Sequence, residues 1–529
     1  MQEEATMQVI LLLLLPLVLP AVILIVRRAT PAMKACLANL KFVLAGNKPP
    51  DMLVTDCAAA YGLLVRGRRT AGVGGGGSFS NRLSSMSPSA VLSGRRYHNI
   101  TSAPYGQLWR ALRHNLASGV LHPTHLHGGY AAARRHALRG LVADLRDQQL
   151  ANGVVLAAES IRGAVFGLVS AMCFGGDGAA DAAVVRAMAD VQTELVLSLP
   201  AARAFVSVPF PALSRLIYRE RWNRLAAIRR RQEELYLPLI DGCRSRRREP
   251  GEALTYVRTL LDLRVPLEEL EADGKHNAAG GKRRLEDGEL VGLCSEFLGS
   301  ATESLAAALQ WIMANLIKRP DVQEAVRREV DAAVDADAEE VGEEALAKLD
   351  HLNAVILEAF RLHPTTMWVF RQVMEEDQVV HDGQRVPTGT KIVFSLEALG
   401  RDKTVWSDDP GEFKPERFRA CGGGESTTAK KKLMSMAAGD ETMKMMPFGA
   451  GRRMCPAISM SLLHIGYFMA NLVREFEWGE AAEGEHAVEL RSDVSVLLFN
   501  FMERPLRARL VPRRRPVVVA DRRPRGKSL

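Results

Sequence analysis

The sequence predicts a mainly α-helical fold with a minor β portion. Three observations lead there. From about Tyr105 to Arg319 the chain runs in alanine-, leucine- and arginine-rich stretches with few β-branched clusters, the pattern of packed helices. Val379–Val393 reads instead as short strands joined by Gly and Pro turns. From Pro456 the pattern is helical again, with a long apolar segment from Ile458 to Phe476. At 529 residues, 47% hydrophobic and 25% charged, the chain can bury a large core and has an ordinary globular composition.

Taken from the amino terminus, Val9 to Val26 is an 18-residue uncharged run interrupted only by Pro16 and Pro20. As a helix it spans roughly 27 Å at about 1.5 Å per residue, enough for a bilayer core. Glu3 and Glu4 precede it and Arg27 and Arg28 follow it, so the basic leader of a cleaved signal peptide is missing. The flanking charge keeps the following chain on the cytosolic side. Residues 1–28 are therefore expected to be a single uncleaved anchor. Ala29–Pro50 reads as helix-like, and Gly72 to Ser78 is a low-complexity glycine run. Residues 29–97 thus form a divergent, shortened N-terminal region ahead of a body at 98–512. Within that body Asp273–Lys282 and Ala420–Glu441 read as loose segments rich in Gly and Lys.

Residues 513–529 are a basic tail expected to be disordered. Its seven basic residues against Asp521 supply six of the eight net positive charges, which leaves the body near neutral. That distribution argues against a nucleic-acid partner. Seven cysteines without a Cys-x-x-Cys pair argue against a disulfide framework or a structural zinc site, and for a reducing compartment.

The chemistry concentrates in Phe448–Gly449–Ala450–Gly451–Arg452–Arg453–Met454–Cys455. One cysteine ends a glycine-loosened, arginine-bearing loop just before the apolar helix. The glycines let the backbone fold back beneath a flat cofactor. Phe448 can shield the sulfur from water, and Arg453 can pair with a carboxylate on the cofactor rim. A thiolate in that setting suits haem iron, where it pushes electron density onto the metal. This loop resembles the cysteine loop of cytochromes P450, F-x-x-G-x-R-x-C-x-G, with Ala457 in place of the last glycine.

Further segments carry the same resemblance. Glu358 and Arg361 lie three apart on one face of a helical stretch that ends near Pro364. Alone, such a pair is usually solvated. Phe413–Lys414–Pro415–Glu416–Arg417–Phe418 resembles the family's P-E-R-F segment, whose arginine completes a buried Glu–Arg–Arg network, here Glu358, Arg361 and Arg417. Trp109 and Arg113, four apart, share a helix face from which an indole N–H and a guanidinium can meet a haem propionate. Arg371 matches a basic position used on the second propionate.

The family's oxygen-side pattern, A/G-G-x-D/E-T-T/S, is matched by Ser300–Ala301–Thr302–Glu303–Ser304–Leu305 within the run Leu290 to Lys318. Carried over, Glu303 is the acid of a proton relay and Ser304 its hydroxyl. Leu293–Leu298, Ala308–Asn315, Lys444–Pro447 and Leu472–Trp478 resemble, more narrowly, family 89 subfamily A of the plant (A-type) cytochromes P450.

What the resemblance implies is a P450 fold with a single haem domain behind the anchor. The cofactor is iron protoporphyrin IX with an axial thiolate from Cys455. The activity is a monooxygenase using O2, a small lipophilic substrate and electrons from NADPH–cytochrome P450 reductase. Substrate contacts are expected near Ser84–Ser102, Phe297–Leu305, Thr365–Phe370 and Val496–Leu498. Residence in the endoplasmic reticulum membrane, single-pass with a cytosolic catalytic domain, follows from the same resemblance. Two alternatives stand beside it: a hydroperoxide isomerase or dehydratase, and a catalytically impaired or inactive relative. Met52–Gly67 resembles the family again, but the short distance from the anchor implies that part of the small β-rich subdomain is missing.

Overall fold

The computed structural model describes residues 51–66, 80–82, 91–93, 97–176, 182–202, 215, 217–246, 251–266, 281–373, 380–381, 384–387, 389–407, 409–419, 429–438, 443–481, 487–493 and 498–513. The expected anchor, Ala29–Pro50, the glycine run and nearly all of Asp273–Lys282 lie outside them, as does the tail beyond Arg513.

The chain opens with strand β1 (Asp51–Val54) and helix α1 (Cys57–Tyr61), followed by a π-type turn (Gly62–Arg66). Helices α2 (Gln107–Ser118), α3 (Pro123–Leu126), α4 (Ala131–Asn152), α5 (Ala157–Phe174), α6 (Ala182–Ala202), α7 (Arg219–Ser245) and α8 (Tyr256–Asp262) come next. A small hairpin of β2 (Val265–Pro266) and β3 (Lys282–Arg283) leads into α9 (Asp287–Lys318), then α10 (Pro320–Ala333), α11 (Glu343–Leu346) and α12 (Asp350–Leu362). Strands β4 (Trp368–Gln372), β5 (Val380–His381), β6 (Gln384–Arg385) and β7 (Lys391–Ser395) precede α13 (Leu396–Gly400) and α14 (Ala429–Ala438). Helix α15 (Ile458–Glu475) and the β8 (Phe476–Gly479) and β9 (Arg509–Pro512) pair complete it. The expected short strands in Val379–Val393 are β5, β6 and the start of β7. The predominance of helix agrees with the sequence reading.

Helix α9 forms the axis. A capping box fixes its start, with Glu289 Oε2 accepting from Glu286 N at 2.8 Å, and Pro320 follows its last residues. Its side chains are buried on nearly every face, which is why its apolar positions run on without a polar stripe. It packs most closely against α5 and also meets α7, α12 and α15. Among the described residues only α5 is long and apolar enough to cross a membrane, and it lies in this core.

A three-stranded sheet, β1–β7–β4, flanks the helices, with β1 parallel and β4 antiparallel to β7. Val54, Cys57, Ala60, Leu63 and Leu64 join Ile392, Phe394, Met446 and Ala450 in one apolar cluster. Residues 51–66, which the sequence reading set ahead of the body, are thus packed within it.

One expectation is corrected. Ala420–Glu441 was expected to be loose, yet Ala429–Ala438 is helical. Ala429, Leu433 and Ala437 repeat every four residues and are buried, with Leu433 against Leu357 and Ile458. Lys430, Lys431 and Lys432 hide that stripe in the sequence. Arg513, counted with the tail, is also anchored: its Nη2 lies 2.7 Å from Asp331 Oδ2 and its N donates to Glu475 O.

Glu358 and Arg361 of α12 have wholly buried side chains and pair at 2.7 Å through both Nε and Nη2. The remaining Arg361 donors go to the carbonyls of Gly400, Pro410 and Glu412 at 2.6–2.9 Å. Glu358 Oε1 also accepts from Lys414 N at 2.8 Å and lies 3.5 Å from Arg417 Nε. This network joins α12, α13 and the segment 410–417. Glu358→Ala leaves a buried guanidinium uncompensated and should lose about 3–5 kcal/mol of stability. Equilibrium urea unfolding measures this, and a loss below about 1 kcal/mol would show the pair to be incidental.

Candidate active site

The cysteine loop is built from its backbone outward. Gly449 and Gly451 have φ of 72° and 70°, a conformation side-chain-bearing residues rarely adopt. At Gly451 a Cβ would stand 2.5 Å from Leu64 O, so the loop can rest on the turn after α1 only with glycine there. Cys455 N donates to Phe448 O at 2.9 Å and closes the loop. Cys455 Sγ accepts from Ala457 N at 3.4 Å, just before α15 begins. Ala457 has φ −97°, so its methyl replaces the family's glycine without strain. Phe448 meets Phe360 of α12 edge-on at 5.1 Å, which ties the loop to the Glu358–Arg361 helix. Burial pushes the Cys455 thiol up. The Ala457 N–H and the guanidiniums of Arg113 and Arg82 act the other way.

The structure brings the predicted basic residues together. Arg453 is buried and donates to Ser80 O at 2.7 Å, Ile100 O at 3.0 Å and Ala103 O at 2.7 Å. Its guanidinium lies 4.5 Å from the Trp109 ring centre, and that of Arg113 lies 5.4 Å from it. Trp109 and Arg113 both sit on α2, and Arg113 Nη2 donates to Met454 O at 2.5 Å. Trp109 Nε1 is buried and has no partner. Arg371, on β4, is fully buried, with Nη1 donating to Phe370 O at 2.9 Å and Nε unpartnered.

A fourth guanidinium was not foreseen. Arg82 donates to Arg453 O at 3.3 Å. It follows a low-complexity stretch, where neither periodicity nor motif marks it. Burial first, then their mutual repulsion, lowers Arg371 well below the usual arginine range and Arg453 to about 9. Glu296 is the carboxylate that counters Arg82 and Arg453, and it is already held by Ile100 N at 2.9 Å and Thr101 N at 2.7 Å. Excess buried positive charge, an orphaned indole N–H and an orphaned guanidinium N–H are what a flat cofactor with two carboxylates would satisfy. The residues present fit haem.

On α9, Ser304 Oγ donates to Ser300 O at 2.7 Å, back along its own helix. Glu303 is buried and turned towards α5, where Arg162 pairs with it through Nη2 and through Nε at 3.1 Å. Burial raises the Glu303 carboxyl, and Arg162 opposes that rise. Nothing near Arg162 in the sequence signals a partner 141 residues away. The Thr302 hydroxyl beside them is buried without a partner.

Next to this turn a cleft opens between α6, α7, α9 and residues 92, 99 and 101. Leu92, Asn99, Thr101, Gly299, Ser300 and Leu498 line it and fall in three of the four stretches expected to touch substrate. Thr365–Phe370 is not on this wall, and Val496 lies outside the described residues.

Removing Arg162 tests the buried pair. In Arg162→Leu the Glu303 carboxyl should rise further, so below its pKa it is neutral and the loss is small, while above it a bare buried carboxylate destabilises the fold. The stability loss should therefore grow from pH 5 to pH 8, as measured by unfolding midpoints. A loss independent of pH would refute the pairing.

The cytochrome P450 family model matches residues 70–498. Cytochrome P450 89A9 of Arabidopsis thaliana is 36% identical over 474 residues, covering 89% of this chain and 86% of that protein. The flavonoid 3'-monooxygenase CYP75B137 of Crocosmia x crocosmiiflora is 26% identical over 438 residues, covering 82% and 80%. A solved zebrafish cytochrome P450, described with abiraterone, superposes with a TM-score of 0.62 at 19% identity, covering 87% of this chain and 93% of that one, and supports the fold.

Proposed function

This chain belongs to the cytochrome P450 family, and we propose on that premise that it oxygenates a lipophilic substrate with electrons from NADPH delivered by a separate reductase. It is a monooxygenase of the haem-thiolate class, like its plant relatives. Haem, when bound, activates O2 so that one oxygen atom enters the substrate and the other leaves as water. The observation that carries the reading is the gathering of Arg82, Arg113, Arg371 and Arg453 around the Cys455 loop.

Cys455 would hold the iron through its thiolate sulfur, in a loop that Phe448 ties to α12 through Phe360. Trp109 Nε1 and the guanidiniums of Arg113, Arg371 and Arg453 would take the two propionates, with Arg82 as a further donor. Arg113 and Arg453 now spend donors on carbonyls of the enclosing loops, so they fix those loops as well. Glu303 and Ser304 would serve proton delivery. Burial makes the Glu303 carboxyl hold a proton more readily than a solvated one, and Ser304 Oγ, whose one hydrogen is given to Ser300 O, would turn away from that carbonyl to donate. Presence of both groups speaks against the isomerase or dehydratase alternative.

The redox partner would dock on the cysteine side, where Arg452 stacks over Tyr105 at 4.8 Å and can steer an acidic surface. Residues 9–26 would anchor the protein in the endoplasmic reticulum membrane with the body cytosolic. That placement rests on the hydropathy and flanking charge of the run.

Reduced-CO difference spectroscopy tests the proposal. The full-length protein should give a thiolate-type Soret band and NADPH-dependent turnover with reductase. Absence of haem uptake would instead support the impaired relative. Cys455→Ala should abolish that band, while Ser304→Ala should keep it and raise peroxide release per NADPH consumed. Arg371→Met should lower haem retention about tenfold or more while the fold persists, the effect of losing one charge-assisted bond. Unchanged haem content after gel filtration would remove Arg371 from the cofactor site.

A further inference from the structure

Ser295 Oγ accepts from Gln232 Nε2 at 2.9 Å and belongs to the polar wall of the cleft. The next residue on α9, Glu296, borders the cleft too, but its carboxylate holds a different part of the chain. Oε2 accepts from Ile100 N at 2.9 Å and Oε1 from Thr101 N at 2.7 Å. Those two N–H groups open a single turn, residues 99–103, closed by Ala103 N donating to Asn99 O at 2.9 Å. Asn99 and Ser102 brace the turn from within. Ser102 N donates to Asn99 Oδ1 at 2.9 Å, and Asn99 N donates to Ser102 Oγ at 3.1 Å.

Carbonyls of the same turn go to Arg453. Its Nη1 donates to Ile100 O at 3.0 Å and its Nη2 to Ala103 O at 2.7 Å. A carboxylate thus grips N–H groups of a braced turn, and a guanidinium grips its carbonyls. Peptide dipoles held between opposite charges are stabilised and polarised by both. With Nε on Ser80 O at 2.7 Å, all three nitrogens of the guanidinium are fixed by backbone, and its aim follows the turn. Burial, then Arg82 and Arg113, push the Arg453 guanidinium towards losing its proton, and Glu296 opposes them.

Resting on the haem-thiolate reading above, we propose that Glu296 is a positioning residue for the cofactor site, which acts through the 99–103 turn to set where Arg453 stands and to keep it charged. Its action is indirect, as one half of an ion pair bridged by peptide groups. Glu296 and Arg453 are 157 positions apart in the chain, yet the turn makes them a single unit.

Haem transfer from the full-length holoprotein to excess apomyoglobin tests this. Glu296→Gln removes the charge and turns an N–H donor towards one of the two backbone N–H groups. Haem should then leave about tenfold faster, the factor for one charge-assisted bond. Glu296→Asp keeps the charge on a shorter side chain and should restore part of the difference. In an Arg453→Met background, Glu296→Gln should change the rate less than about twofold, because the residue it acts through is gone. Ser102→Ala loosens the turn without altering either charge, and should speed release about threefold, as for one neutral hydrogen bond. Deuterium exchange at the Ile100 and Thr101 amides should quicken about tenfold in Glu296→Gln, with or without haem. Unchanged release in Glu296→Gln, or in Ser102→Ala should the first variant fail to fold, would overturn the inference. So would an equal effect of Glu296→Gln with and without Arg453. An unsubstituted protein that takes up no haem overturns the haem-thiolate reading instead, and amide exchange still decides whether Glu296 holds the turn.

Discussion

Four guanidiniums gathered round one thiol in a space largely closed to water is an arrangement that proteins rarely leave uncompensated. Removing a cation from water is costly unless an anion or well-placed acceptors replace the solvent. Around Cys455 the acceptors are the carbonyls of Ser80, Ile100, Ala103, Phe370 and Met454. Carbonyls solvate a guanidinium but do not neutralise it, and repulsion among Arg82, Arg371 and Arg453 remains. Haem, the cofactor of this family, would bring anionic propionates to these guanidiniums and iron to the thiol.

The Glu358–Arg361 network shows the contrasting solution. There too a guanidinium is fully buried, yet its donors go to one carboxylate and three carbonyls, so charge and hydrogen bonding close within the chain. Because α12 also carries Phe360, which packs on Phe448, the self-sufficient network is the support on which the cysteine loop rests. Gly400 makes the fit possible, since a Cβ there would lie 2.0 Å from Arg361 O. One buried cation is a strut and the other group is a receptor; the difference is whether the fold supplies the counter-charge.

Much of this was legible in the sequence, for reasons that differ by residue. Cys455, Phe448 and Arg453 stand in one eight-residue loop, and Trp109 with Arg113 follow helical spacing, so local pattern found them. The helical stripe of α14 was hidden because three consecutive lysines and nearby glycines outweigh two alanines and a leucine. Arg82 and Arg162 could not be read locally. Each gains its meaning from a partner hundreds of residues or one helix layer away, at Arg453 and Glu303 respectively. Glu296 sat in a segment already recognised as distinctive, but its task of holding Ile100 and Thr101 exists only once the fold brings that loop onto α9.

Helix α9 unites these threads. Successive turns of it carry Ser295 in the polar wall, Glu296 clamping the loop that meets Arg453, Gly299 against Gln192, and Glu303 with Ser304. A substitution on one turn is felt by its neighbours, because the helix is buried on nearly all faces and has little room to shift. Glycine at 299 lets the Gln192 side chain of α6 come close to the helix backbone. Helix α7 meets the same cleft but carries neither Glu303 nor Ser304, so a substitution there changes the cleft wall without touching the buried Glu303–Arg162 pair.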